Sequence, residues 1–174
     1  MAEPITLDDA KRQLRIDGSD DDEFLETAIS DARGWIEDYT GLILTRRPIV
    51  EVLPSFCAKL RAWPIVSIDS VTYLDGDQVE RMVSESDYFA QIARRPAALT
   101  SQKWPAVFSG STVEVTMTAG FATPAAINEF SPNLMRAMRI LVAGFYADRE
   151  TAGLSGAVAA SARNLCRNFR RWAV

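Results

Sequence analysis

The hydrophobic period of this chain changes twice along its length, and that restricts the fold more than any single residue does. Between Asp20 and Gly41 the apolar residues Phe24, Leu25, Ala28, Ile29, Ala32, Trp35, Ile36 and Tyr39 recur at the spacing of one helical face. From about Leu42 to Phe121 the pattern shortens to short β-branched runs separated by turn residues. From Ser131 the helical period returns. A chain in this order is expected to be α+β: a helical body of an amino-terminal helix hairpin and two carboxy-terminal helices, with an antiparallel β unit inserted. The expected segments are 1–41 for the hairpin, 42–121 for the insertion, 122–150 for a core helix, and 151–174 for a flexible hinge and a last helix. At 174 residues the chain suits a single domain with a real core.

Local signals refine this. Thr6 and Asp9 suit the start of a first helix running to Ile16, and Asp17-Gly18 suits its end. Ser19 and the acids after it suit the start of the second helix, and Gly41 its left-handed stop. Glu37 is placed on that helix's acidic outer face. Residues 44–53 read as a strand with Pro48 at an edge or at its start. In 65–73, Ile65, Ser67, Asp69, Val71 and Tyr73 alternate with Val66, Ile68, Ser70 and Thr72, a strand with mixed faces. Asp75-Gly76 predicts a hairpin with 79–83 returning. Residues 87–93 and 113–117 are further strands. Ser131-Pro132 opens a helix to about Arg149, with Leu134, Met138, Leu141, Val142 and Phe145 as its stripe. The last helix, from about Val158, carries Leu165 and Phe169 on one side and arginines on the other.

The chain has no histidine, which removes the commonest general base, proton shuttle and metal ligand. It has no phosphate-binding glycine loop, no CxxC and no HExxH. The acids Asp17, Asp20, Asp21 and Asp22 lack the spacing of a calcium loop and suit a solvated helix start better. Asp75-Gly76-Asp77 is a turn before it is a metal site. No catalytic activity, cofactor or metal is therefore expected. There is no apolar run long enough to span a membrane and no signal-peptide pattern, so the protein is expected to stay where it is made. Cys57 and Cys166 are expected to be free thiols.

Charge is unevenly placed. The net charge is −4, yet residues 1–41 hold twelve acids against four basic residues, and no acid follows Glu150. The end of the chain, RNLCRNFRRW, places Arg163, Arg167, Arg170 and Arg171 around one helix with Phe169 and Trp172 interleaved. Three uses fit such a segment: a solvated basic face, a nucleic-acid contact in which arginines meet phosphates and aromatics stack on bases, or docking on an acidic protein surface. Protein docking is preferred over nucleic acid, because the chain is itself acidic elsewhere and neighbours or an assembly partner would use that complementarity.

Taken in order, the pieces resemble the phage head–tail connector (adaptor, or head-completion) family. The opening PITLDDAKRQLRID and the acidic helix ending in WIEDYTG carry the first part of the likeness. LRAWPIVSIDSVTYLDGD, Lys103-Trp104-Pro105 and VTMTAGF carry the middle, and LMRAMRILVAGFYADRE and NLCRNFRRW carry the end. The segment AINEFSPNL departs from the proline–glutamate pattern usual before the third helix of that family. The resemblance implies a ring-forming structural subunit, typically twelve-fold, below the portal of a tailed phage, prophage or gene transfer agent. Such a ring extends the DNA channel and offers a surface to the tail-side stopper or tail terminator. It implies a place at the head–tail interface of the particle, and the host cytoplasm during assembly. It also implies portal docking through the last helix, and so through Arg163, Arg167, Phe169, Arg170, Arg171 and Trp172. On this reading, removing residues 158–174 is expected to leave a folded protein that no longer attaches to portal-bearing heads. A nucleic-acid-binding module using the basic helix is the alternative.

Overall fold

A computed structural model describes residues 3–149 and 154–170. The fold is α+β, with five α-helices and seven strands, all antiparallel in their pairings, among the described residues. Contacts divide the chain into two units. One holds residues up to Thr45 and from Phe121 onward, and the other holds Arg46–Gly120.

The helical unit begins with α1 (Leu7–Leu14), capped by Thr6, whose hydroxyl accepts from the Asp9 N–H at 3.1 Å. This helix stops earlier than its sequence suggests. Arg15 takes the left-handed conformation at φ 60°, so the turn is made before Asp17-Gly18 is reached. Helix α2 (Asp22–Thr40) then buries Leu25, Ala28, Ile29, Ala32 and Ile36, while Phe24, Trp35 and Tyr39 are half-buried at the edges of that stripe. Each buried Leu or Ile contributes about 1.5–3 kcal/mol of apolar transfer. Its N-cap is Asp21 rather than Ser19, and Gly41 ends it at φ 68°, where a side chain would be strained.

Three helices complete this unit. Helix α3 (Pro124–Phe130) was not expected, so the carboxy-terminal part holds three helices rather than two. It spans only seven residues, too few to show a period. Its start is written in Thr123-Pro124, where Thr123 accepts from the Ala126 N–H and proline fills the first turn. Helix α4 (Pro132–Ala147) packs on α2 through Leu134, Met135, Ala137, Met138, Leu141 and Val142. Helix α5 (Gly156–Cys166) packs on α4 and is capped by Ser155. Its buried residues are Ala159, Ala162 and Cys166, not Leu165 and Phe169, which are half-buried. Small residues let the two helices approach closely at Gly144, where an added Cβ would stand 2.7 Å from a Val158 methyl. Removing residues 158–174 would therefore strip α4 of part of its cover. The truncated protein is expected to be destabilised, and point substitutions test docking better.

The β unit holds two sheets. The larger has the order β1-β7-β3-β4, from β1 (Arg47–Leu53), β7 (Val113–Ala119), β3 (Ile65–Leu74) and β4 (Glu80–Met82). The smaller has the order β2-β6-β5, from β2 (Lys59–Leu60), β6 (Ala97–Thr100) and β5 (Phe89–Gln91). The mixed faces of β3 are resolved by two register shifts, after Ile65 and after Ile68. Each shift inserts one residue, so Ile65, Ile68, Val71 and Tyr73 oppose the inward residues of β7, and strict alternation fails. At the hairpin the Asp75 carboxylate accepts from the Asp77 and Val79 N–H groups and from Arg81, and the left-handed residue is Gln78, not Gly76. Phe56 stacks on Trp104 at 4.5 Å, with Tyr73 edge-on, which closes the interior of this unit.

Candidate partner interface

The basic segment lies at the end of the helical unit. Arg163 in the last turn of α5 and Arg167 just beyond its end are four residues apart, exposed, and form no ion pair with a described residue. No acid stands on α5, and a positive charge near a helix carboxy-terminus is favoured by the helix dipole. A short 3₁₀ turn, Arg167–Phe169, follows. The Phe169 ring is half-buried, 5.2 Å from Phe130, which in turn lies 5.3 Å from Phe121. The Arg170 guanidinium stands 5.7 Å over the Tyr39 ring, and Tyr39 stacks on Trp35 at 5.5 Å. The structure thus uses Phe169 and Arg170 to hold the chain end on the helical unit, and leaves Arg163 and Arg167 facing solvent. Arg171 and Trp172 lie outside the described residues.

The thiols differ in setting. Cys57 is exposed and free, whereas Cys166 is free but buried on the packed face of α5, and its thiol is pushed up to about 11 by that burial. Cys166 is therefore a packing residue, protonated at neutral pH.

Two polar networks fix α2. At its start the Tyr146 hydroxyl donates to Asp21 at 2.6 Å and Arg149 adds a contact at 3.0 Å. The Tyr146 hydrogen bond, with the charge of Arg149, holds the Asp21 carboxyl below the usual carboxylate range. Lys11 of α1 pairs with Asp22 beside it. Near the other end, Glu37 is buried rather than solvent-facing. Its Oε1 accepts from the Leu44 N–H at 2.7 Å and its Oε2 meets Arg33 at 3.4 Å, while Arg33 also bonds Glu3 at 2.8 Å. Sequence periodicity places Glu37 among surface acids because it lies at the border of the apolar stripe. Only the returning segment at Leu44 supplies the donor that makes its burial favourable.

The β unit carries an open groove of about 720 Å³ along 86–89 and 100–103. Its lining includes Asp87, Tyr88 and Lys103, and the Tyr88 hydroxyl is pushed up by burial. Among the described residues no cluster of three or more acids or thiols is placed to hold a metal, and no helix is long and apolar enough to cross a membrane. The polar surface most suited to a contact is that of the helical unit, with basic α5 and acidic α2.

Residues 4–73 match the family model described as Phage gp6-like head-tail connector protein. No curated protein sequence matches. Among solved structures, a chain in the neck of an empty GTA particle computed with C6 symmetry is similar over 100% of this chain and 94% of that chain. The TM-score is 0.79 and the identity 22%. A chain in the virion of a native gene transfer agent particle gives the same values. One in the neck of a native GTA particle computed with C12 symmetry covers 86% of this chain and 83% of that chain, at a TM-score of 0.69 and 22% identity. The likeness to head–tail connectors thus holds for residues 4–73 by sequence, and the likeness to these neck proteins is one of fold.

Proposed function

We propose that this chain is a structural head–tail connector of a tailed-phage-like or gene-transfer-agent particle. It acts as one subunit of a ring below the portal, prolongs the channel through which double-stranded DNA passes, and joins the capsid to the tail. The observation that carries this reading is the near full-length fold likeness, at a TM-score of 0.79, to a chain of a gene transfer agent neck. The connector match over residues 4–73 supports it from sequence. The twelve-fold ring is supported by the C12 symmetry named for one of the neck structures. The role is non-catalytic and needs no cofactor, and the protein resides at the head–tail interface of the particle. Its partners are copies of itself, the portal, and a stopper or tail terminator on the tail side.

In this reading α5 is the portal-facing element. Arg163 and Arg167 reach the portal surface, Phe169 and Arg170 fix the chain end that presents them, and Arg171 and Trp172 extend the same contact. The test is the double substitution Arg163→Glu with Arg167→Glu in the full chain. Both side chains are exposed, so the loss is limited to their interaction with the helix dipole, about 0.3–1 kcal/mol each, and the variant is expected to remain folded. Attachment to portal-bearing heads, read by co-sedimentation, is expected to be lost. Normal attachment by a folded double variant would show that α5 is not the portal contact. A steep loss of free-DNA binding with attachment intact would favour a nucleic-acid role instead.

A further inference from the structure

The helical unit carries two sets of opposite charges that it does not neutralise itself. On α2, Glu23, Asp31 and Asp38 are exposed and lie within about 80° of arc, along roughly 22 Å of helix. Gly34 falls within that stripe and has open space where a Cβ would stand, so the surface between the acids is low. Glu26 is exposed at its flank. None of these four carboxylates forms an ion pair or hydrogen bond with a described residue. On α4, Arg136 and Arg139 are exposed, three residues apart, and likewise without an ion pair among the described residues.

Their placement is what matters. Helices α2 and α4 pack on each other through their buried stripes. At 3.6 residues per turn the α2 acids lie opposite the α2 stripe, and the α4 arginines lie opposite the α4 stripe. The acids and the arginines therefore face away from each other, on opposite sides of one helical unit. Within a single chain they cannot meet. Between two chains set head to tail they can, and a head-to-tail contact uses two different patches and closes into a ring when the rotation allows.

We infer that a second copy of this chain docks its Arg136 and Arg139 on the Glu23–Asp31–Asp38 face of α2, and that this contact repeats around the ring. The inference rests on the ring reading given above and names the faces that would form it. Exposed pairs of this kind set orientation and encounter rate more than affinity, so the contact should be sensitive to salt. It also leaves Arg163 and Arg167 available for a different partner.

The test uses three full-length variants in particles whose own copy is deleted. The first carries Glu23→Lys and Asp31→Lys, the second Arg136→Glu and Arg139→Glu, and the third all four. Each two-site variant puts like charges face to face, and the fraction of particles with a neck ring is expected to fall at least about tenfold. The four-site variant restores opposite charges at two of the three α2 acids, leaving only Asp38 against a like charge, and the ring is expected to return in large part. Rings that form normally with either two-site variant would overturn this interface and leave the connector role standing. Loss in all three variants would also overturn it, because the charges would then act on something other than each other. Absence of the wild-type protein from the neck would overturn both readings.

Discussion

Glu37→Ala is expected to destabilise the protein by about 2–3 kcal/mol, because it leaves a buried N–H without its acceptor. The carboxylate takes the Leu44 N–H at 2.7 Å, just where the chain leaves the left-handed Gly41 and turns away from α2. Leu42 and Leu44 are fully buried there, so water does not reach that N–H freely. The substitution also removes a carboxylate from Arg33, which keeps Glu3. Glu37→Gln keeps an oxygen at the same place and should recover more than half of the loss. Urea unfolding of the three proteins at neutral pH measures both differences. A loss below about 0.5 kcal/mol for Glu37→Ala would mean that the buried carboxylate has no net role in holding this turn.

Gly144→Leu is expected to cost about 3 kcal/mol, the upper end for bulk forced into a packed contact. The added Cβ alone would meet one Val158 methyl at 2.7 Å and a Leu154 methyl at 3.1 Å. Valine in a helix has one favoured rotamer, so Val158 cannot swing aside and α5 must move as a body. That shift would loosen Ala159, Ala162 and Cys166 from the core. Gly144→Ala separates the two opposing effects. Alanine gains about 1 kcal/mol of helix propensity over glycine, against an overpacking cost of about 1–3 kcal/mol. Val158→Ala placed in the same chain should relieve most of the Gly144→Ala loss, and a double-mutant cycle reads that coupling. Additive losses would show that α4 and α5 do not meet at this point.

Much of the architecture is legible in the sequence because it depends on local chemistry. The cap at Thr6, the stop at Gly41 and the stripe of α2 need only neighbours in sequence. Strands β1, β4 and β5 fall within expected segments, β3 matches its segment closely, and β7 runs two residues past its segment. What escapes depends on partners far along the chain. Strand β2 has two residues and exists through its pairing with β6. Strand β6 is a short uninterrupted apolar run, Ala97–Leu99, buried in full, so alternation is absent by construction. The register shifts in β3 move Ile68 inward, which no periodicity shows. In α5 the larger side chains suggest a face through Leu165 and Phe169. Close packing on Gly144 selects the small residues Ala159 and Ala162 instead.

The candidate interface is legible to a different degree. Composition identifies the basic end and the acidic start, and the structure leaves Arg163 and Arg167 outward while Phe169 packs on Phe130 and the exposed Arg170 lies over Tyr39. That division depends on Phe130 and Tyr39, about 40 and 130 residues away in sequence, contacts of a kind that only tertiary packing fixes. The same holds for the α2 and α4 charges. Their exposure is readable from helical spacing, but their opposed directions follow only once the two buried stripes are seen to face each other.

The measurement that tests the central claim most directly is electron microscopy of the particles carrying this protein, with its gene intact and with it deleted. A connector below the portal predicts a ring of density there in the intact particle, and heads without tails, filled or empty, in the deletion. Tailed particles of normal appearance in the deletion would contradict it.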